Sequence, residues 1–225
     1  MIINDVNSIM RWQTGGEYQA VEWIESTAGE NTQYIQTDYV IDPTKTKLYI
    51  KFERTGDMKF GLLSGSNLQY GNSANGLSYY NYYQFRPGYG TTDLGYIGSQ
   101  YLGFETEYDY PNKYIKNITS GATYNIPSDK TYGQSTRHEN VTIFGRKGYY
   151  WEDVYTSGLK VYRVKMFDSN VLVRDFVPCY RISDGAIGMY EMCGNIYTPT
   201  GTPFHSNAGN GAFAKGPDDS TITLP

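Results

Sequence analysis

Only two cysteines, Cys179 and Cys193, and two histidines, His138 and His205, occur in the 225 residues. That scarcity excludes a disulfide-built scaffold and leaves no Cys or His spacing that suits zinc. If Ser183-Asp184-Gly185 closes a hairpin, Cys179 falls opposite about Met189, and a bridge to Cys193 is out of reach. Both cysteines are read as free thiols, packing residues that suit assembly in a reducing compartment. No Asp-x-Asp-x-Asp-Gly loop wraps calcium, no Gly-x-Ser-x-Gly elbow carries a nucleophile, and no glycine-rich phosphate loop opens a helix. The expectation is therefore no metal and no cofactor. Long apolar runs are missing too: nothing approaches the ~18–20 residues of a membrane span. The opening MIINDVNSIMRWQTGGEYQA lacks a charged start followed by an apolar core, so no secretory leader is expected. Formal net charge is −4 without a block of one sign, which excludes recruitment of nucleic acid or anionic membrane by field alone.

What the chain has instead is tyrosine and glycine, 24 and 25 of them, and together they predict many short strands joined by tight turns. No segment over ten residues carries a helical apolar period, and no repeat recurs at solenoid or propeller spacing. In KLYIKFERT, Leu48, Ile50 and Phe52 share one face and Lys47, Tyr49 and Lys51 the other. YQAVEWIES places Ala20, Glu22 and Ile24 together, against Val21 and Trp23. GLKVYRVKMFDSNVLVRDFVPCYR reads as two long strands around Asp168-Ser169-Asn170, with Val161, Arg163 and Lys165 opposing Tyr162, Val164 and Met166. Residues 113–129 read as a hairpin around Ser120-Gly121, and residues 77–85 as one strand with tyrosines on both faces. Arg174 and Asp175 point to opposite faces, so each is expected to satisfy backbone or a loop rather than the other. Such a strand count in one domain predicts two packed sheets. Three parts follow: an N-terminal arm at residues 1–17, a β-sandwich at 18–214, and a polar tail at 215–225 expected to be ordered only by a neighbour.

Two stretches carry a family resemblance. Residues 21–52 contain an aromatic-rich strand, Glu25-Ser26-Thr27 and then Gln33-Tyr34-Ile35-Gln36-Thr37. Residues 159–204 contain a strand, a short turn, Val-Arg-Asp-Phe-Val-Pro-Cys, Asp-Gly-Ala-Ile-Gly-Met-Tyr and a final Tyr-Thr strand. These resemble the opening and closing of the laminin-G/concanavalin A-like jelly-roll domains of gut bacteria and their phages. The resemblance implies an all-β jelly-roll sandwich, and a shared scaffold rather than a shared chemistry.

Candidate chemistry is sparse. Glu105, Glu107 and Asp109 alternate, and neighbours two apart on a strand lie roughly 6.5–7 Å from each other, near a glycosidase spacing. The order Glu-x-Glu-x-Asp departs from the Glu-x-Asp-x-x-Glu pattern of sugar-cleaving enzymes resembling this fold, and Pro111 suggests an acidic loop. No catalytic residues are expected. Aromatic contacts are the stronger candidate. Tyr79, Tyr80, Tyr82, Tyr83, Phe85 and Tyr89 crowd one segment, and Tyr149, Tyr150 and Trp151 another. Their rings suit sugar stacking or protein contact; packing in a tyrosine-rich β protein is the blander alternative. The expectation is a non-enzymatic phage virion protein, a decoration, head-fibre or spike component. It would assemble in the host cytoplasm, anchor to other virion proteins through its arm, form a homo-oligomer, and contact surface polysaccharide. The alternatives are a carbohydrate-binding adhesion module at a bacterial cell surface and, behind it, a glycan hydrolase using Glu105 and Glu107.

Overall fold

A computed structural model describes residues 16–27, 33–55, 63–66, 76–80, 84–89, 92–93, 97–130, 138–145, 158–194 and 202–225. Among these there is no α-helix; one 3-10 turn, Ser99–Tyr101, interrupts an otherwise β architecture. The strands in chain order are β1 (Tyr18–Ala20), β2 (Ile24–Ser26), β3 (Ile35–Val40), β4 (Thr46–Arg54), β5 (Leu63–Ser66) and β6 (Gly76–Tyr80). Next come β7 (Gln84–Tyr89), β8 (Thr92–Asp93), β9 (Glu105–Asp109), β10 (Tyr114–Asn117), β11 (Thr123–Asn125) and β12 (His138–Ile143). The last are β13 (Leu159–Asp168), β14 (Val171–Arg181), β15 (Ile187–Glu191), β16 (Phe204–Ser206) and β17 (Ala214–Lys215). One antiparallel sheet runs β11-β10-β9-β4-β13-β14-β15-β16, with β1, β2 and β17 attached; the other runs β3-β12-β5-β6-β7-β8.

The two sheets face each other across one apolar core. Leu48, Ile50 and Phe52 on β4 and Val161, Val164 and Met166 on β13 join Ile35, Tyr39, Leu63, Val141 and Ile143 of the second sheet. The period-two pattern of β4 thus places its apolar set inward and Lys47, Tyr49 and Lys51 outward. The sandwich is closed along one side where β16 approaches β3. There His205 Nδ1 donates to the Gln36 carbonyl at 3.1 Å, and the Ala208 amide to the Tyr34 carbonyl at 2.9 Å.

Turn chemistry sets the registers. Ser169 and Asn170 carry φ of 49° and 68°, the left-handed pair that a two-residue hairpin between Asp168 and Val171 demands. Gly185, at φ 71°, closes the β14–β15 hairpin, and the Arg181 guanidinium holds Asp184 across it at 2.6 Å. Cys179 falls opposite Gly188, one residue from the expected Met189. A Cβ on Gly188 would come within 2.3 Å of the His205 carbonyl, so the close β15–β16 approach excludes any side chain there. The expected 113–129 hairpin forms as β10 and β11.

Several expectations need correction. Residues 77–85 are not one strand: β6 and β7 fold back on each other, Tyr79 opposite Phe85. Residues 105–109 are strand β9, paired on both sides by β4 and β10, and not a loop. Ala20 and Ile24 do not share a face, because the chain breaks at Val21-Glu22-Trp23 and changes column between β1 and β2. A bulge between Val161 and Arg163 leaves Tyr162 without a register partner, so Tyr162 and Arg163 both turn outward between buried Val161 and Val164.

The tail is the largest correction. It packs on its own chain. Gly216 N donates to the Trp23 carbonyl (2.9 Å), Glu22 N to the Pro217 carbonyl (3.0 Å) and Asp219 N to the Ala20 carbonyl (2.9 Å). Leu224 and Ile222 then cover a second apolar cluster on the outer face of the large sheet, made by Ala20, Val177, Cys179, Tyr190 and Phe204. Of the N-terminal arm, residues 1–15 lie outside the described residues.

Candidate functional site

Of the aromatic candidates, Tyr82, Tyr83, Tyr149, Tyr150 and Trp151 lie outside the described residues. Tyr79, Tyr80, Phe85 and Tyr89 sit on the β6–β7 hairpin of the smaller sheet. The described side chains that gather into a cleft lie elsewhere, on the outer face of the large sheet.

The cleft exists because β13 and β14 diverge. They pair from Val164–Phe176 to Asp168–Val171. Beyond that, β2 takes the place beside β13 (Val161 opposite Ile24), and β1 the place beside β14 (Ala20 opposite Cys179). The tail crosses the opening between them. The resulting pocket, of about 440 Å³, is lined by Lys51 of β4, Phe104 ahead of β9, the bulged Tyr162 and Arg163, and Asp219 and Thr221 of the tail. Val21 and Ile222 supply apolar floor and Glu22 part of the rim.

Each lining group has a defined setting. Phe104 is 41% exposed, an unusual placement for a large apolar ring. It stands edge to face on Tyr162, ring centroids 5.0 Å apart. Lys51 Nζ lies 5.0 Å from the Phe104 centroid and 3.9 Å from Glu105 Oε1, so one cation serves a ring and a carboxylate. The Tyr162 hydroxyl donates to Glu53 Oε2 at 2.9 Å. Burial first, then that bond and the surrounding carboxylates, push the Tyr162 phenol up to about 12. Arg163 donates through Nε and Nη2 to Asp175, both at 2.7 Å. That fork raises the guanidinium above its ordinary value despite desolvation, and Asp219 adds to it from across the cleft. Asp219 Oδ1 accepts from the Thr221 amide (2.8 Å) and hydroxyl (2.6 Å), a local turn that fixes the tail's wall.

The acidic row on β9 faces the same side but is spoken for. Glu107 accepts from the Tyr114 hydroxyl at 2.5 Å and lies 3.6 Å from Lys47 Nζ. Asp109, 3% exposed, accepts from the Asn112 amide (2.9 Å) and side chain (3.0 Å). Arg174 and Asp175 also find side-chain partners that strand alternation alone did not reveal. Asp175 takes Arg163, and Arg174 reaches from β14 to Asp38 on β3, with bonds of 2.9 and 2.8 Å. Glu191, 2% exposed, caps its turn by accepting the amides of Cys193 and Gly194, and it also accepts the Asp175 amide from β14.

Cys179 and Cys193 are free thiols, and burial pushes both up to about 12. Among the described residues no three His, Cys, Asp or Glu side chains converge as a metal centre, and no helix is long and apolar enough to cross a membrane. Sequence reasoning missed the cleft because its lining comes from five distant segments. The one available signal was Phe104, a large ring just ahead of an alternating acidic strand. Comparison with family models, curated proteins and solved structures finds no match.

Proposed function

We propose that the protein is a non-enzymatic structural and interaction component of a bacteriophage particle, displaying a lectin-like sandwich for attachment to host surface glycan. The scaffold would be a concanavalin A/laminin-G-like jelly roll. Two observations favour that finer assignment. Both sheets are antiparallel, and their orders interleave distant strands, with β4 between β9 and β13 and β12 between β3 and β5. The motifs at residues 21–52 and 159–204 supply the rest. Anchoring would run through residues 1–17 to other virion proteins, with the sandwich repeated as a homo-oligomer.

The observation that carries the binding role is the partly exposed Phe104 ring, set edge to face on the half-buried Tyr162 at the outer face of the large sheet. An aromatic ring left partly in water on such a support offers contact area at little ordering cost. The β9 carboxylates favour binding over hydrolysis in this reading. Glu107 is engaged by Tyr114 and Lys47, and a general acid needs a proton free to give.

The test combines two measurements. Purified protein is applied to a panel of immobilised bacterial surface polysaccharides, and native particles are imaged with the protein labelled. Retention on at least one polymer and a fixed place on the particle are expected. Retention on none refutes glycan attachment; absence from particles refutes the virion role. Deletion of residues 2–16 should reduce incorporation while the sandwich stays folded, and unchanged incorporation removes the anchoring role.

A further inference from the structure

We infer that the outer-face cleft is a subsite for a neutral hexopyranose unit, with Phe104 as platform and Arg163, Asp219 and Thr221 as hydroxyl-bonding groups. The inference rests on the glycan-binding reading and adds to it the place and the class of sugar.

Charge argues for neutrality. Two cations, Lys51 and Arg163, and two carboxylates, Glu22 and Asp219, line the cleft. Behind the cations stand Glu105, 3.9 Å from Lys51, and Asp175, bidentate on Arg163. A uronate would find those cations already matched by Glu105 and Asp175 and would add a further negative charge beside Glu22 and Asp219, so the charge set counts against an acidic sugar. A neutral polyol needs donors and acceptors in one place, and the cleft has both.

The hydrogen-bonding inventory agrees. Arg163 commits Nε and Nη2 to Asp175, and its Nη1 makes no hydrogen bond among the described residues. The Thr221 hydroxyl spends its proton on Asp219, so its oxygen remains an acceptor, while Asp219 Oδ2 lies outside the turn bonds to Oδ1. The Phe104 and Tyr162 rings, with Lys51 over them, and Arg163 thus line the cleft together with Asp219 and Thr221. A pyranose presents the matching pair of surfaces, a C–H face for a ring and hydroxyls for donors and acceptors. A volume of about 440 Å³ lies near the lower end of ligand clefts, ~300–1,000 Å³, which suits a ring or two and not a folded oligomer.

The test uses the full chain and small probes. Methyl gluco-, galacto- and mannopyranosides and methyl glucuronide are titrated while backbone amide resonances are followed. At least one neutral glycoside should shift the resonances of Lys51, Phe104, Tyr162 and residues 219–222, and the glucuronide should bind several-fold more weakly. Phe104→Ala should weaken the neutral glycoside about 10-fold, as loss of a stacked ring implies. Phe104→Trp should retain it, and both variants should stay folded, because the ring is 41% exposed and truncation removes only its contacts with Tyr162 and Lys51. Asp219→Asn keeps the turn acceptor and should still lower affinity. Glucuronide binding as tight as the neutral sugar, or shifts confined to the β6–β7 hairpin, overturns the inference. A polysaccharide held equally by the parent and by Phe104→Ala overturns the cleft but leaves glycan attachment standing. No polymer held by the parent overturns both.

Discussion

Removing Asp38 should damage the fold more than removing Arg174. Arg174 is 5% exposed and donates Nε and Nη2 to Asp38 at 2.9 and 2.8 Å, with Nη1 on its own Val173 carbonyl at 2.7 Å. Burial works against this charge, while the bond and field of Asp38 outweigh it and hold Arg174 above its ordinary value. Deleting one partner of a buried pair costs about 3–5 kcal/mol, because the other charge stays out of water. The Asp38 side chain is 31% exposed, so water reaches one end and about 2–3 kcal/mol is the working figure for Asp38→Ala. Arg174→Met removes the buried cation itself, fills similar space and leaves Asp38 on the wetter side, so about 1 kcal/mol or less is expected. The double variant should match Arg174→Met, giving a coupling of about 2–3 kcal/mol. Near 225 residues each kcal/mol moves the melting temperature by about 2–4 °C, so calorimetry on the four proteins separates these values. Equal destabilisation by both single changes, with no coupling, would refute the claim that this pair clips β14 to β3.

Burial and neighbouring carboxylates push the Tyr49 and Tyr162 phenols from an ordinary 10.0 up to about 12, so the folded chain keeps protons that the unfolded chain loses. Their contribution is complete below pH about 10 and is lost as pH rises towards about 12. Melting temperature should fall across that window, less steeply in Tyr162→Phe, and phenolate absorbance should report late ionisation. Cys179, buried with its thiol pushed up to about 12, should resist alkylation at neutral pH until denaturant is added; labelling in the native state contradicts its place under the tail. Leu224→Ala should cost about 2 kcal/mol and increase dye binding to the uncovered cluster of Val177, Tyr190 and Phe204, whereas an unchanged melt would mean the tail covers nothing.

Much of the fold was legible because β4 and β13 are central strands with one face buried, and a one-residue slip there would turn every apolar side chain to water. Leu48, Ile50 and Phe52 could be placed on that ground alone. The Asp168-Ser169-Asn170 turn was legible because short polar residues tolerate left-handed backbone. The bulge was not. VYRVKM reads as unbroken alternation, and nothing local says that Tyr162 is the extra residue; only the register with Phe52 and Lys51 shows it. The tail misled for a related reason. KGPDDSTITLP is polar on average, yet its spacing of Ile222 and Leu224 is that of a strand with one apolar face. Residues 105–109 read as a loop because of Pro111, which falls after the strand ends and costs β9 no ladder bond. The cleft was beyond reach of pattern, since Lys51, Phe104, Tyr162 and Asp219 meet only through strand order.

The divergence of β13 from β14 connects stability to the proposed site. Strands that separate leave backbone donors and acceptors without partners, and buried ones must be satisfied. Here β1, β2 and the tail satisfy them, through Val21 N to the Pro178 carbonyl (3.0 Å), Glu22 N to Pro217 and Asp219 N to Ala20. The bonds that fill the opening also stand Asp219 and Thr221 opposite the bulged Tyr162 and Arg163. Site and scaffold thus share the tail, and changes at residues 217–224 should alter melting and binding together. Phe104 has no part in that backbone ladder beyond its carbonyl, which accepts the Phe52 amide at 2.8 Å whatever side chain it carries. Substitution there separates the two properties, and a Phe104→Ala chain that lost stability as well as sugar would show that the ring holds the sheet and not a ligand.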